Sequence, residues 1–537
     1  MNSAARFASF FAVLVTLLPM AGFCQELKAQ ETGLYRDMFD QGIYYESTGL
    51  LHLDRLYRTL FRKEARSRDV NAFDEVPDNS FFINRHGRKS LTSDDLERGY
   101  TETPMDLSGP VSVVKGKSEG LHPGFFVRDT AGNNYLIKFD SFDYFELATA
   151  AEIISSRFYH AIGYNVPQYD VVTIGADQLQ VGENASIIDD TGFKKPLNSE
   201  KLEEFLLFVP RDTDGNFRVS ASKLLKGENK GFFNLTSRRK SDPEDAIDHE
   251  HRRDVRALQV FASWLNNNDT REGNTLDMLV EEDGRRYLKH YLIDFNSTLG
   301  SAAKGAKPPM FGYEYFFDGG ETLKTFFTLG LLEKPWQRRW RESGEKITTS
   351  PALGYFDNSG FRPDKYKVQL PHFAFKNLTK ADGFWAAKII KSFSDGDIRA
   401  ILGTGKLSSS EDVDYLAKTL VERRDIIAKY WFEEANPLDD FTYSGDKLSF
   451  ADLSVKEGFA SAENTRYVFD VIGKQGNKGS RLATVENGAP ALQIQQDWFS
   501  QAQTLDILVR TLRGGKSLPP VLVEVNADQI LGILHQD

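Results

Sequence analysis

Cysteine is nearly absent from this chain. Cys24 is the single one among 537 residues, so an internal disulfide framework is excluded. Thiolate-held zinc, iron–sulfur clusters and Cys–His catalysis are disfavoured for the same reason. A surplus of positive charge is missing too: Lys and Arg number 66 against 77 Asp and Glu, a net charge of −11. A generic nucleic-acid binder carries the opposite field, so no nucleic-acid partner is expected. Long apolar runs are lacking beyond the first 25 residues, and crossing a bilayer takes about 20 such residues. The chain is therefore not expected to span a membrane once its N-terminal segment is removed. No Gly-x-x-x-x-Gly-Lys-Ser/Thr loop occurs, which removes P-loop chemistry.

What is present suffices for sizeable cores. Hydrophobic residues make up 40% and aromatic residues 12%, and the length corresponds to three or four units of roughly 150 residues. The first segment reads as an address. Arg6 precedes an apolar run from Phe7 to Leu18, followed by Pro19, Ala21 and Gly22, which is the layout of a secretory signal peptide. Residues 1–24 are assigned to it. The run is short for an anchor, and Phe23 before Cys24 does not suit a lipoprotein. Export to the periplasm, cell envelope or medium is the expectation.

Residues 25–110 form a mixed, charged extension, with helical apolar spacing at Leu50–Phe61 and a loop-like stretch at Asp74–Arg88. From Val111 the pattern turns to short strands, Val111–Val114, Phe125–Arg128 and Tyr135–Phe139, separated by Gly-containing turns. A helix is predicted over Glu146–Ile162, with Leu147, Ala151, Ile154, Phe158 and Ala161 on one stripe. Strands follow at Tyr169–Ile174 and Phe217–Leu225, then an amphipathic helix at about His251–Leu265. A hairpin over Thr275–Phe295 turns at Asp283–Gly284. Beyond Lys307 the chain reads as mainly helical, with candidates at Ala381–Ser392, Asp395–Leu402 and Ser410–Trp431. After Pro437, strands such as Thr465–Ile472 and Leu518–Val525 point to a β-rich domain over 437–537.

Three elements carry chemistry. On the strand Tyr135–Phe139, Lys138 shares a face with Leu136, opposite Tyr135, Ile137 and Phe139. An ammonium among apolar residues needs an anionic partner, and the helix that follows offers Glu146 and Glu152. Upstream, Lys115–Gly120 is a turn able to lie over phosphates, with Gly116 and Gly120. The second element is Trp264–Asn274, where Asp269 and Asn274 stand five apart. The aspartate can accept a proton or orient a hydroxyl, and the amide oxygen can bind a hard cation. The third is His290–Asn296, with Asp294 at the end of an apolar strand, a good position for a magnesium ligand.

This order resembles the protein-kinase-like superfamily: Gly-bearing hairpin, strand Lys, helix Glu, Asp-x-x-x-x-Asn, then Asp-Phe. It looks closest to atypical branches, the HipA-like, phosphoinositide-kinase-like, and secreted Golgi-casein-kinase-like or CotH-like kinases. Asp74–Arg88, Glu146–Pro167, His249–Asn274, Leu292–Gly300 and Ala381–Ile390 also resemble a family of uncharacterised bacterial exported proteins. The resemblance implies an α+β fold with a two-lobe kinase-like core over 111–436, a small β-rich lobe and a larger mainly helical one. It implies ATP or another nucleotide with Mg²⁺ or Mn²⁺ as cofactors, and a protein or small molecule as acceptor. Lys138 would contact the α/β-phosphates and pair with Glu152 or else Glu146, with Gly116 in the glycine loop. Asp269 would be the catalytic base, and Asn274 and Asp294 the metal ligands.

The sequence departs from that pattern in places. Asn267-Asn268 replaces the usual His-Arg before the catalytic Asp, and Asn296 replaces the Gly after Asp-Phe; Asn tolerates left-handed backbone. An exported protein meets little ATP, which keeps open an inactive kinase-like binding module or an envelope structural or interaction protein. His249-Glu-His251 lacks the i,i+4 spacing of a helical metal pair, and Arg252 and Arg253 are expected in salt bridges. The aromatic run Phe311, Tyr313, Tyr315, Phe316 and Phe317 reads as packing.

Overall fold

The computed structural model describes residues 66–537 except 118–121, 189–192, 303, 317, 335, 339–340, 342–349, 474–475, 483, 487–488 and 502, together with Leu53 and Tyr57. The expected signal peptide, the rest of Leu50–Phe61, Gly120 and Phe317 lie outside the described residues.

The architecture is α+β, with a β-rich lobe, a mainly helical lobe, an N-terminal segment packed on the latter, and a C-terminal β-rich region. The first lobe is a seven-stranded sheet of β1 (Val111–Gly116), β2 (Gly124–Arg128), β3 (Asn134–Phe139), β4 (Tyr169–Ile174), β5 (Leu179–Ile188), β6 (Lys194–Pro196) and β7 (Phe217–Lys223). Their order is β4-β7-β3-β2-β1-β5-β6. β1 and β5 run parallel; the other neighbours are antiparallel. Alternation sends Val111, Val113, Phe125, Val127, Ile137 and Phe139 into one core, closed by the helix Ser199–Leu206. β5 and β6 escaped the sequence reading because polar residues at Gly182–Asn184 interrupt the apolar pattern, and Asn184 takes a left-handed backbone there.

Helix α1 (Leu147–Ile162) follows β3. Its boundaries match the expectation, but its environment does not. Thr149, Glu152, Ser155, Ser156 and Arg157 are buried along with the apolar stripe. The helix runs between the sheet and the helical lobe and has no solvent face.

The helix expected over His251–Leu265 is broken into a 3₁₀ turn at His249–His251, a short helix at Arg253–Arg256 and α2 (Leu258–Leu265). Arg252 is extended, and the Asp69 carboxylate accepts the backbone N–H of Arg253 at 2.6 Å. A distant carboxylate thus starts this helix instead of a local cap. After the short strand β8 (Glu228–Asn229), which pairs with the next strand, β9 (Thr275–Glu282) and β10 (Arg285–Leu292) form the predicted hairpin, with Asp283 and Gly284 both at positive φ.

Three helices follow: α3 (Lys380–Ser392), α4 (Asp395–Gly403) and α5 (Ser410–Glu434). Each is opened by a side-chain cap, Thr379, Ser394 and Ser409 respectively. Such a cap stabilises a helix by about 1 kcal/mol. Among the described residues of 307–372, a helix spans Gly319–Phe327 and most of the rest is irregular, so this stretch is less helical than expected. In the aromatic run there, Tyr313 and Tyr315 are half-buried and Phe316 is exposed, so it is not core. Leu438–Val525 contribute a further apolar cluster between a four- and a six-stranded sheet.

Candidate functional site

Lys138 lies on β3, opposite Gly124 of β2 and Ser220 of β7. Its side chain leaves the sheet on the face that α1 covers and is buried. The ammonium is held by two carboxylates, Glu152 Oε1 at 2.6 Å and Asp294 Oδ1 at 3.0 Å. Burial alone would push Lys138 toward neutrality, but Asp294 and then Glu152 hold its pKa well above the usual range. Burial likewise pushes Asp294 up, but the opposing effects of its cationic surroundings, led by Lys138, together outweigh this and keep it ionised below the ordinary carboxylate range. Ser220 Oγ donates to the second oxygen of Glu152. Glu152 is therefore committed on both sides.

Glu146 is not brought to Lys138. It precedes α1 with φ +72°, and its carboxylate accepts from the backbone N–H and the hydroxyl of Ser408, at 2.9 and 3.1 Å. Gly116 ends β1, two strands from β3, and a Cβ there would lie 2.9 Å from Ile187. Packing against β5 accounts for that glycine. The close backbone approach belongs to Gly124, where a Cβ would sit 2.3 Å from the Ile137 carbonyl oxygen. The string Gly116-Lys-Ser-Glu-Gly120 has the letters of a nucleophile elbow, but the described elements on either side of it are the antiparallel strands β1 and β2, not a strand and a helix.

Asp269 and Asn274 lie on the turn between α2 and β9. Asn266 ends α2 in the left-handed conformation that Asn tolerates. Asn267 donates to the Tyr159 hydroxyl on α1 at 3.1 Å. Asn268 is fully buried, and neither of its amide atoms has a partner among the described residues. Asn274 Nδ2 donates to the Asp269 carbonyl oxygen at 2.8 Å, which leaves its amide oxygen as the acceptor. Arg271 pairs with the Asp269 carboxylate at 3.0 Å. Burial raises the pKa of Asp269 above the ordinary value; Arg271 opposes that shift and the charge of Asp294 adds to it.

Asp294 follows β10. The left-handed backbone expected at Asn296 occurs at Asp294 itself, with φ +62°. Its backbone N–H donates to the Tyr169 hydroxyl at 3.1 Å. Phe295 stacks on Tyr159 at 5.0 Å and meets Tyr169 edge-on at 5.8 Å. Thr298 bonds to Ser155 at 2.7 Å and to the Ala151 carbonyl at 3.1 Å. The loop is thereby fastened to the helix that carries Glu152. Ser220, Tyr169, Lys307 and His122 also belong to this neighbourhood, and sequence reading passed over all of them. Nothing in their local patterns marks them; only the fold brings them in.

His249 is spent on Asp245 at 3.0 Å and on the Asn234 carbonyl. Arg252 and Arg253 form the expected salt bridges, with Asp254 and with Asp74 and Asp382. Among the described residues, no group of three or more His, Cys, Asp and Glu side chains is spaced to hold a metal ion, and no helix is long and apolar enough to cross a membrane.

The chain matches no family model and no curated protein. Ten chains of solved structure match it. One is the crystal structure of a Helicobacter pylori proinflammatory kinase, CtkA, with 12% sequence identity and a TM-score of 0.32; the match covers 62% of this chain and 99% of that one.

Proposed function

We propose that this is an exported, atypical kinase-like protein. It binds ATP or another nucleotide with Mg²⁺ or Mn²⁺ and transfers a phosphoryl or nucleotidyl group to a protein or small-molecule acceptor. One observation carries the reading. The Lys138 ammonium is clamped between Glu152 on α1 and Asp294 after β10, 2.6 and 3.0 Å away, in the order of elements that kinases use.

In this reading Lys138 binds phosphate oxygens, and Glu152, held by Ser220, keeps it aimed. Asp294 and the amide oxygen of Asn274 are the residues that would hold magnesium. Two oxygen donors suit an ion whose shell is completed by water and substrate phosphates. When bound, magnesium supplies neutralisation of phosphate charge. Asp269 takes the proton of the acceptor hydroxyl, and its raised pKa makes it a stronger base than an ordinary aspartate.

The test compares wild type with Asp269→Asn in the presence of Mg²⁺ and ATP labelled at the γ-phosphate. The reading expects transfer by wild type, lowered on the order of a hundredfold or more in the variant, with ATP affinity unchanged. Equal transfer by both proteins removes Asp269 from the mechanism. Nucleotide binding without transfer by wild type favours the inactive binding module.

A further inference from the structure

His122 lies in the connection between β1 and β2 and is 5% exposed. Its Nε2 has no hydrogen-bond partner among the described residues. A buried polar atom left unpaired is destabilising, and folds rarely keep one without a use.

Its position is well defined. The carbonyl of the next residue, Pro123, accepts from the Phe139 N–H at 3.1 Å. This carries the β2–β3 ladder one step past the Gly124–Lys138 pair. On the other side, the Lys117 N–H donates to the Gly124 carbonyl at 3.0 Å, and Lys117 Nζ to the His122 carbonyl at 3.2 Å. The imidazole is thus fixed at the Lys138 end of the sheet, close enough for the charges of Asp294, Lys138 and Lys117 to act on it. Burial pushes its pKa down to about 3, so the ring is neutral at physiological pH, with one N–H to give. Lys117 and Lys138 make the same space attractive to an anion. Magnesium is a poor partner for a ring nitrogen, since it prefers oxygen ligands. An oxyanion suits both the ring and its cationic neighbours.

We infer that His122 is a phosphate-contacting residue, its Nε2–H donating to an oxygen of the nucleotide's phosphate chain beside Lys138. This rests on the nucleotide reading above and deepens it. The site would recognise the polyphosphate through a neutral donor as well as a cation. The sequence does not mark the residue, because His122 stands outside the glycine-bearing turn.

The experiment is calorimetric titration of the full chain with ATP, ADP and adenosine in Mg²⁺, using wild type, His122→Ala and His122→Gln, each checked for an unchanged unfolding midpoint. His122→Ala should weaken ATP and ADP on the order of tenfold, as expected for a lost hydrogen bond to a charged group, and leave adenosine unchanged. His122→Gln retains an N–H donor and should recover part of the loss. The inference is overturned if ATP affinity is the same in all three proteins, or if adenosine weakens as much as ATP. If wild type binds none of the three ligands, the nucleotide reading itself fails and the inference falls with it. That outcome is visible before any variant is measured.

Discussion

Lys307 donates through its ammonium to two backbone carbonyl oxygens, those of Asn266 and Ser297, each at 2.8 Å. One buried ammonium thus ties the turn that carries Asp269 to the loop that carries Asp294. Burial pushes its pKa down to about 7, with the charge of Asp269 pulling the other way. Lys307 touches no reacting group and acts through the two backbones it holds. Replacing it with Met should misplace Asp269 relative to Asp294. Displacements of about 1 Å cost on the order of a hundredfold in rate. The expected result for Lys307→Met is therefore a comparable fall in the rate of phosphoryl transfer with little change in ATP affinity, read from steady-state rates beside a binding titration. Wild-type turnover in Lys307→Met would contradict the tie.

Arg253 ties together three parts of the chain. Its guanidinium pairs with Asp74 of the N-terminal segment at 2.9 Å and with Asp382 of α3 at 2.9 Å. Asp74 in turn faces His535, near the C-terminus, at 3.0 Å. Arg256 and Ser67 complete the shell of Asp382, at 3.1 and 2.8 Å. All of these groups are buried. Breaking such a network from one side leaves charges without compensation and costs roughly 3–5 kcal/mol. Arg253→Met should lose that much in urea unfolding, whereas a loss below about 1 kcal/mol, typical of exposed pairs, would show the network to be dispensable.

His372 is buried, and its Nε2 has no partner among the described residues. Burial lowers its pKa to about 3. The unfolded chain takes up this proton near pH 6.5, and the native chain does not until far lower. Between these values the unfolded state binds more protons, so stability falls as pH falls. His372→Gln lacks this loss. From pH 7.5 to 4.5, the stability of the variant should rise relative to wild type by roughly 2.7 kcal/mol, two pH units below 6.5 at about 1.4 kcal/mol each. A difference independent of pH would show that His372 is charged, or solvated, in the folded protein.

How far the site could be read from sequence depends on how local each signal is. Lys138, Asp269, Asn274 and Asp294 stand out because each sits at a strand, turn or strand end that its own neighbours define. The same holds for the three helices opened by Thr379, Ser394 and Ser409, and for the β9–β10 hairpin. Choosing between Glu146 and Glu152 was beyond periodicity, because α1 is buried on every side and has no polar face to sort them. Ser220 meets Glu152 across 68 residues and Tyr169 meets Asp294 across 125; such pairs leave no trace in a local pattern. The break in the helix at Arg252 was hidden likewise, since the cap that causes it, Asp69, lies 184 residues away from Arg253.

The central claim is that Asp294 and Lys138 form the floor of a metal-dependent nucleotide site. Thermal unfolding of wild type and Asp294→Ala, with and without ATP and Mg²⁺, tests it most directly. ATP at a hundred times its dissociation constant should stabilise wild type by about 2.7 kcal/mol, only when Mg²⁺ is present, and should leave Asp294→Ala unmoved. An equal, magnesium-dependent shift in both proteins, or no shift with any nucleotide in wild type, would contradict the account.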